Sequence, residues 1–105
     1  MNGVSDTLMF GLSADTLKKI RGCLAQYPEI HWVKIYGSRA TGKFRRGSDI
    51  DLAFSAAKDC SASLAAALDA LSTPYLFDVT YYEGLRHEGL KDHIDRIGKI
   101  IYPLD

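Results

Sequence analysis

The apolar residues of the chain alternate between a helical spacing and a strand spacing. Leu17, Ile20 and Leu24 recur at intervals of three and four, as on one face of a helix, whereas Val33 and Ile35 alternate with other residues, as on one face of a strand. Proline and glycine mark the breaks between these segments. The pattern predicts helices over 13–27, 39–42, 62–71 and 85–97, and strands over 31–36, 50–54, 75–81 and 99–102.

This order of elements is typical of an α/β fold, in which about three main helices pack on a small mixed sheet of about four strands. The chain has 105 residues, which is the size of one domain. We expect residues 13–105 to form that single domain. Residues 1–12 are weakly patterned, and we interpret them as an N-terminal arm.

Composition narrows the classes of function. Thirteen basic and thirteen acidic residues cancel, which argues against strong bulk binding to nucleic acid. The N-terminal residues lack the basic and apolar regions of a signal peptide, and no apolar run approaches the ~20 residues of a membrane span. We therefore expect a cytoplasmic protein that does not bind membranes.

Asp49 and Asp51 are the clearest candidates for chemistry. At positions i and i+2 of a strand they project from one face, with Cα atoms roughly 6.5 Å apart. Two ionised carboxylates this close repel each other unless a cation lies between them, and their hard oxygen atoms suit Mg²⁺. Aspartates near turns are also common as solvated strand ends, and the pair alone does not decide between the two interpretations.

A glycine-rich basic segment, 37–47, connects the first two predicted strands. Gly37 permits close approach of a phosphate to the backbone, Ser38 offers a hydroxyl donor, and Arg39 offers a positive charge. Further along, Lys43, Arg45 and Arg46 are either a clamp for a triphosphate or a solvated loop. A Gly-Ser pair by itself is typical of an ordinary turn. Its combination with the aspartates of the next strand is what favours a nucleotide site.

Asp78 is the third candidate carboxylate. It interrupts an apolar predicted strand, where Phe77 and Val79 face the other way, and an unpaired buried carboxylate is costly. If this strand pairs beside Asp49 and Asp51, three carboxylates could hold two metal ions about 4 Å apart, as in phosphoryl transfer. Asp78 could then also act as the general base. The alternative is the solvent face of an edge strand.

These motifs resemble a known family. Gly37-Ser38-Arg39-Ala40-x-Gly42, followed by Gly47-Ser48-Asp49-Ile50-Asp51-Leu52, resembles the signature of the DNA polymerase β-like nucleotidyltransferase superfamily, and the chain length resembles its minimal nucleotidyltransferase branch. The likeness covers roughly residues 17–102. It implies the nucleotidyltransferase fold, ATP or another NTP as substrate, and Mg²⁺ as cofactor, with two ions.

The resemblance also implies roles by position. Gly37 and Ser38 would contact the nucleotide, and the metal ligands and catalytic residues would be Asp49, Asp51 and Asp78. Arg39 and Ser48, which adjoin these motifs, complete the predicted nucleotide-binding set. The chain's three histidines have no ligand spacing, and we assign His87 and His93 to the surface.

Minimal nucleotidyltransferases of this kind are often paired with a helical HEPN-type toxin, so the resemblance implies an antitoxin that transfers AMP to a tyrosine of its partner. The chain has little length left for an acceptor-binding domain, which fits an acceptor presented by a partner or by a homo-oligomer. Two alternatives stay open. One is a module that neutralises its partner by contact alone, and the other is a small-molecule transferase of the aminoglycoside-modifying kind.

Overall fold

The computed structural model describes residues 9–104, and their elements follow the predicted order. The helices are α1 (Ala14–Leu24), α2 (Ser38–Thr41), α3 (Ser61–Asp69) and α4 (Glu88–Ile97), and the strands are β1 (Ile30–Tyr36), β2 (Ile50–Ala56), β3 (Phe77–Tyr81) and β4 (Lys99–Tyr102). A 3₁₀ turn, Tyr82–Gly84, links β3 to α4. The predicted α/β class is confirmed.

The four strands form one mixed sheet in the order β3-β2-β1-β4. Strand β1 is antiparallel to both β2 and β4, whereas β2 and β3 are parallel. The C-terminal end of β1 therefore meets the N-terminal ends of β2 and β3. We call this end of the three strands the carboxylate edge. The segments that carry the predicted motifs all converge there.

Each face of the sheet is covered by different helices. The main core lies between the sheet and helices α1 and α3, and its sheet side is formed by Val33, Ile35, Ile50, Leu52 and Phe54. On the opposite face, which we call the α4 face, Tyr36 and Ala53 pack with Ile94. Successive residues of a strand point to opposite faces. Burial of Ile50 and Leu52 in the main core therefore directs Asp51 to the α4 face.

Several elements are shorter than predicted. Helix α1 ends at Leu24 rather than at residue 27, because the N–H groups of Gln26 and Tyr27 bond to carbonyls three residues back. Helix α4 begins at Glu88 rather than at residue 85, and His87 caps it by accepting the Leu90 N–H at 2.9 Å. None of the helices within residues 9–104 combines the length and apolar character needed to cross a membrane.

The predicted N-terminal arm over 1–12 lies mostly outside the described residues. Its last four residues belong to the folded domain: Met9 and Leu12 exchange backbone hydrogen bonds of 3.1 and 2.9 Å. Leu12 is fully buried in the main core, and Phe10 packs against that core. Only two apolar residues face inward here, which is too few to produce a recognisable period.

Candidate active site

The strand register places two of the predicted carboxylates side by side. Asp51 of β2 is paired with Tyr36 of β1 on one side and with Asp78 of β3 on the other. Neighbouring strands lie about 4.8 Å apart, and paired residues share a face. Asp51 and Asp78 therefore both project on the α4 face, and Asp49 lies at the same edge, just before β2.

The pKa of Asp51 is raised above its ordinary value, first by partial burial and then by the charges of Asp78 and Asp49, while the Arg39 guanidinium acts in the opposite direction. Asp49 and Asp78 are themselves exposed. A cation bound at this edge would reverse the repulsion, so the residues present fit a hard divalent ion.

The three acids do not form a closed ligand set. Within residues 9–104, no group of three acidic, histidine or cysteine side chains is arranged around a single ion position. Mg²⁺ commonly takes one or two carboxylates and completes its octahedron with water and substrate phosphates. An open carboxylate edge of this kind suits an ion that is delivered with a nucleoside triphosphate.

Gly37 is packed directly against Asp51. It precedes α2 with φ +72° and ψ −151°, a conformation essentially confined to glycine. A Cβ atom at this position would overlap Oδ2 of Asp51. The Gly37 carbonyl accepts the N–H groups of Ala40 and Thr41 at 3.1 and 3.2 Å, which starts α2. The glycine is therefore required by both the turn and the carboxylate beside it.

Ser38 begins α2 and is half-buried at the same edge. Its carbonyl accepts the Lys43 N–H at 3.0 Å and the Thr41 hydroxyl at 3.2 Å, which closes the turn after α2. The Ser38 hydroxyl makes no hydrogen bond to another described residue. It is thus available as a donor next to Gly37, and its contact with a nucleotide stays a prediction.

Arg39 and Ser48 hold the loop between α2 and β2. Arg39 is only 3% exposed; Nε and Nη2 donate to the Ser48 carbonyl at 3.2 and 2.9 Å, and Nη1 donates to the Phe10 carbonyl at 2.8 Å. The Ser48 hydroxyl accepts the Arg45 N–H at 2.8 Å. These contacts give both residues a structural part that the sequence pattern does not reveal. Their contact with a nucleotide stays a prediction.

His93 joins the site although the sequence pattern assigns it to the surface, and this assignment is wrong. The ring is half-buried, and its Nε2 accepts the Gly37 N–H at 3.2 Å. The ring also meets the Tyr36 ring nearly edge-on, with centroids 6.0 Å apart. The sequence does contain a sign of this position. Residue 93 lies beside the apolar stripe formed by Leu90 and Ile94, so it is near the face of the helix that packs on the sheet.

A cavity of about 770 Å³ lies beside the carboxylate edge rather than over it. Its walls include three arginines and three aromatic residues: Arg39, Arg45, Arg46, Phe10, Phe44 and Tyr75. None of the three aspartates lines it. The cavity therefore carries positive charge from its arginines, and the acidic groups that fit a divalent cation lie outside it.

Comparison with solved structures gives neighbours of the same fold. A chain in the crystal structure of a toxin–antitoxin complex with AMP-PNP has 26% identity and a TM-score of 0.64, covering 85% of this chain and 74% of that one. A chain in the structure of tri-AMPylated Shewanella oneidensis HEPN toxin in complex with MNT antitoxin has 22% identity and a TM-score of 0.58, covering 85% and 71%. A search of curated proteins gives no match.

The family model described as "Polymerase beta, Nucleotidyltransferase" matches residues 18–105. This span contains all seven predicted site residues and every element from β1 to β4. The predicted resemblance and the predicted fold are therefore confirmed. The chain belongs to the polymerase beta nucleotidyltransferase family.

Proposed function

We propose that this chain is a Mg²⁺-dependent enzyme that transfers a nucleoside monophosphate, AMP from ATP, to a hydroxyl group. We further propose that the hydroxyl belongs to a tyrosine of a HEPN-type partner, so that the protein acts as an antitoxin in the cytoplasm. The observation that carries the proposal is the pairing of Asp51 with Asp78 on neighbouring strands, with Gly37 packed against Asp51.

The site residues have separate parts in this reaction. Mg²⁺ held by Asp49, Asp51 and Asp78 would neutralise the triphosphate and stabilise the departing pyrophosphate. The Ser38 hydroxyl donates to a phosphate oxygen. Gly37 has no side chain and therefore leaves room for the Asp51 carboxylate beside the phosphates.

Asp78 is the best-placed group to receive the proton of the acceptor. It is exposed and lies on β3, the edge strand, so an incoming hydroxyl can reach it. As the hydroxyl oxygen bonds to the α-phosphorus, its proton passes to the Asp78 carboxylate. The bond between the α-phosphorus and the bridging oxygen breaks, and pyrophosphate leaves with that electron pair.

One observation supports a protein as the acceptor. A structural neighbour is a complex that contains a tri-AMPylated HEPN toxin and an MNT antitoxin.

Intact-mass measurement tests donor and acceptor together. The purified chain is incubated with MgCl₂, one NTP at a time, and the HEPN-type protein encoded in the same genome. We expect ATP to add one or more AMP units to the HEPN protein, and peptide mapping to place them on tyrosine. Asp49→Asn and Asp51→Asn should each abolish the gain. Asp69→Asn, the same change at an exposed helix end, should leave it intact.

The two alternatives give different results in the same experiment. A contact-only module would neutralise the HEPN protein without any gain in mass, and the Asp51→Asn variant would neutralise it equally well. A small-molecule transferase would leave the HEPN protein unmodified and would instead add AMP to an aminoglycoside. Either result would replace the proposed function.

A further inference from the structure

Helix α4 contributes a polar side chain, His93, to the edge where the carboxylates lie. The next residue, Ile94, is fully buried on the α4 face and anchors the helix there. His93 is thereby held against the turn that begins at Gly37. Its Nε2 lies 3.2 Å from the Gly37 nitrogen, which is 56 residues away in the chain.

We propose that His93 is a positioning residue for nucleotide transfer, acting as a neutral acceptor that fixes the Gly37 N–H and, through Gly37, the Asp51 carboxylate. This inference rests on the proposed function above, since it assigns a role within the same site. His93 acts through the glycine turn and does not itself take part in the reaction.

The hydrogen bond is important because of the conformation of Gly37. A backbone at φ +72°, ψ −151° is sparsely populated and persists only when its surroundings hold it. The Gly37 carbonyl is fixed by α2, and His93 supplies the matching restraint on the N–H side. Without an acceptor, this half-buried N–H would lack a protein partner, and the peptide could rotate.

Rotation at Gly37 would be transmitted to the carboxylate. The Cα of Gly37 lies so close to Asp51 that an added Cβ would overlap Oδ2. A change in the glycine backbone therefore changes the space in which that carboxylate sits. His93 thus controls the position of a proposed metal ligand without contacting the metal.

The imidazole is itself oriented by the strands. Its ring meets Tyr36 at an interplanar angle of 77°, and the Tyr36 hydroxyl pairs with the Thr80 hydroxyl at 3.1 Å. Thr80 lies two residues after Asp78 on β3. The imidazole ring thus contacts β1 directly and is linked to β3 through the Tyr36 hydroxyl, and these two strands flank Asp51. Because Nε2 accepts a hydrogen bond, the ring proton must be on Nδ1.

Three variants separate the acceptor from the ring. His93→Phe keeps an aromatic edge against Tyr36 but has no acceptor. His93→Gln loses the ring but places an amide oxygen where Nε2 was. Arg96→Gln, on the exposed side of α4, controls for general effects on the helix, since its only ion pair is with exposed Asp92 among the described residues.

The first readout needs neither metal nor nucleotide. Hydrogen exchange of the Gly37 amide, followed by NMR on the ¹⁵N-labelled chain, should be slow in the wild type, in His93→Gln and in Arg96→Gln. It should be about 3- to 10-fold faster in His93→Phe, the range expected for one neutral hydrogen bond. Equal exchange in the Phe variant and the wild type would overturn the inference.

The second readout is transfer itself. We expect His93→Phe to lower kcat for AMP transfer about 3- to 10-fold, and His93→Gln to restore it to within about 2-fold of the wild type. If Phe and Gln lower kcat equally, the ring and not the acceptor is what matters, and the inference is wrong. If exchange responds but kcat does not, the positioning role fails while the proposed function stands. Absence of transfer in the wild type would instead contradict the proposed function.

Discussion

Gly37→Ala is the smallest change that tests the geometry of the site. The glycine backbone lies in a region that other residues rarely adopt, and the new Cβ would overlap Oδ2 of Asp51. The substitution is therefore opposed twice, by the backbone and by the carboxylate. Both effects can be measured in the absence of metal, nucleotide and partner.

The expected loss follows from these two contributions. The backbone conformation costs a non-glycine residue about 1–3 kcal/mol. Displacing the Asp51 side chain from its rotamer costs roughly 0.5–1.5 kcal/mol more. We therefore expect Gly37→Ala to lower the free energy of unfolding by about 2–4 kcal/mol, or Tm by about 8–16 °C at roughly 4 °C per kcal/mol. Urea denaturation gives the free energy directly.

Two other glycines supply matched controls. Gly42 has φ +82° with nothing near its missing Cβ, so Gly42→Ala should cost only the backbone contribution of about 1–2 kcal/mol. Gly22 lies in α1 with equally open space, so Gly22→Ala should gain up to about 1 kcal/mol from helix propensity. From the most to the least stable, the predicted order is Gly22→Ala, wild type, Gly42→Ala and Gly37→Ala.

A double-mutant cycle isolates the contact with the carboxylate. Asp51→Ala removes the atoms that the new Cβ would overlap, so Gly37→Ala made in that background should lose only its backbone contribution. The coupling between the two substitutions should be about 0.5–1.5 kcal/mol. Additive effects, or a Gly37→Ala variant as stable as Gly42→Ala, would refute the argument that Gly37 is packed against Asp51.

Three further predictions concern charges. The folded-state pKa of Asp51 is raised, so its stabilising contribution is present below the unfolded pKa and is lost as pH rises through the folded pKa. In metal-free urea denaturation we therefore expect Asp51→Asn to be more stable than the wild type at pH 7, with the difference shrinking as pH falls through the raised folded pKa toward the ordinary aspartate value. Added Mg²⁺ should stabilise only the wild type. Arg39→Met should lower the free energy of unfolding by about 2–4 kcal/mol, because two backbone carbonyls lose a charged donor, and calorimetry will show whether Tm falls accordingly. The hydrogen bond to Asp95, followed by burial, raises the pKa of Tyr82 to about 12, so ultraviolet titration should find a late-ionising phenol whose pKa shifts downward in Asp95→Asn.

The part of the site that depends on local patterns could be predicted from the sequence. Alternation along β2 places Asp51 on the opposite face of the sheet from Ile50 and Leu52, and this follows from the strand period alone. Asp78 is marked by a different argument, the cost of burying a carboxylate in an apolar strand, although in the structure it is exposed on the edge strand β3. Their direct pairing could not be predicted, because it depends on which strands neighbour each other, and on a parallel register between segments that are not adjacent in sequence.

Other features were missed because sequence spacing does not report side-chain direction. An arginine after Gly-Ser has the same sequence signal whether it faces a phosphate or, as Arg39 does, two backbone carbonyls. Ligand spacing among histidines and cysteines gives no sign of the role of His93, because the partner of His93 is a backbone N–H on another element. Both contacts join segments whose approach is decided only by packing.

The register that aligns the two acids is determined by the main core rather than by the acids themselves. Ile50, Leu52 and Phe54 pair with Phe77, Val79 and Tyr81 on the core face, and the three β2 residues are almost fully buried. Burying such side chains stabilises by about 1.5–3 kcal/mol each, whereas repulsion between two charges near a protein surface costs roughly 1–4 kcal/mol. Slipping β3 by one residue would relieve the repulsion, but it would turn Asp78 into the core and expose Phe77 and Val79. The apolar pairs therefore keep Asp51 and Asp78 adjacent even without a cation, so that the electrostatic strain between them is already in place when an ion and a nucleotide arrive.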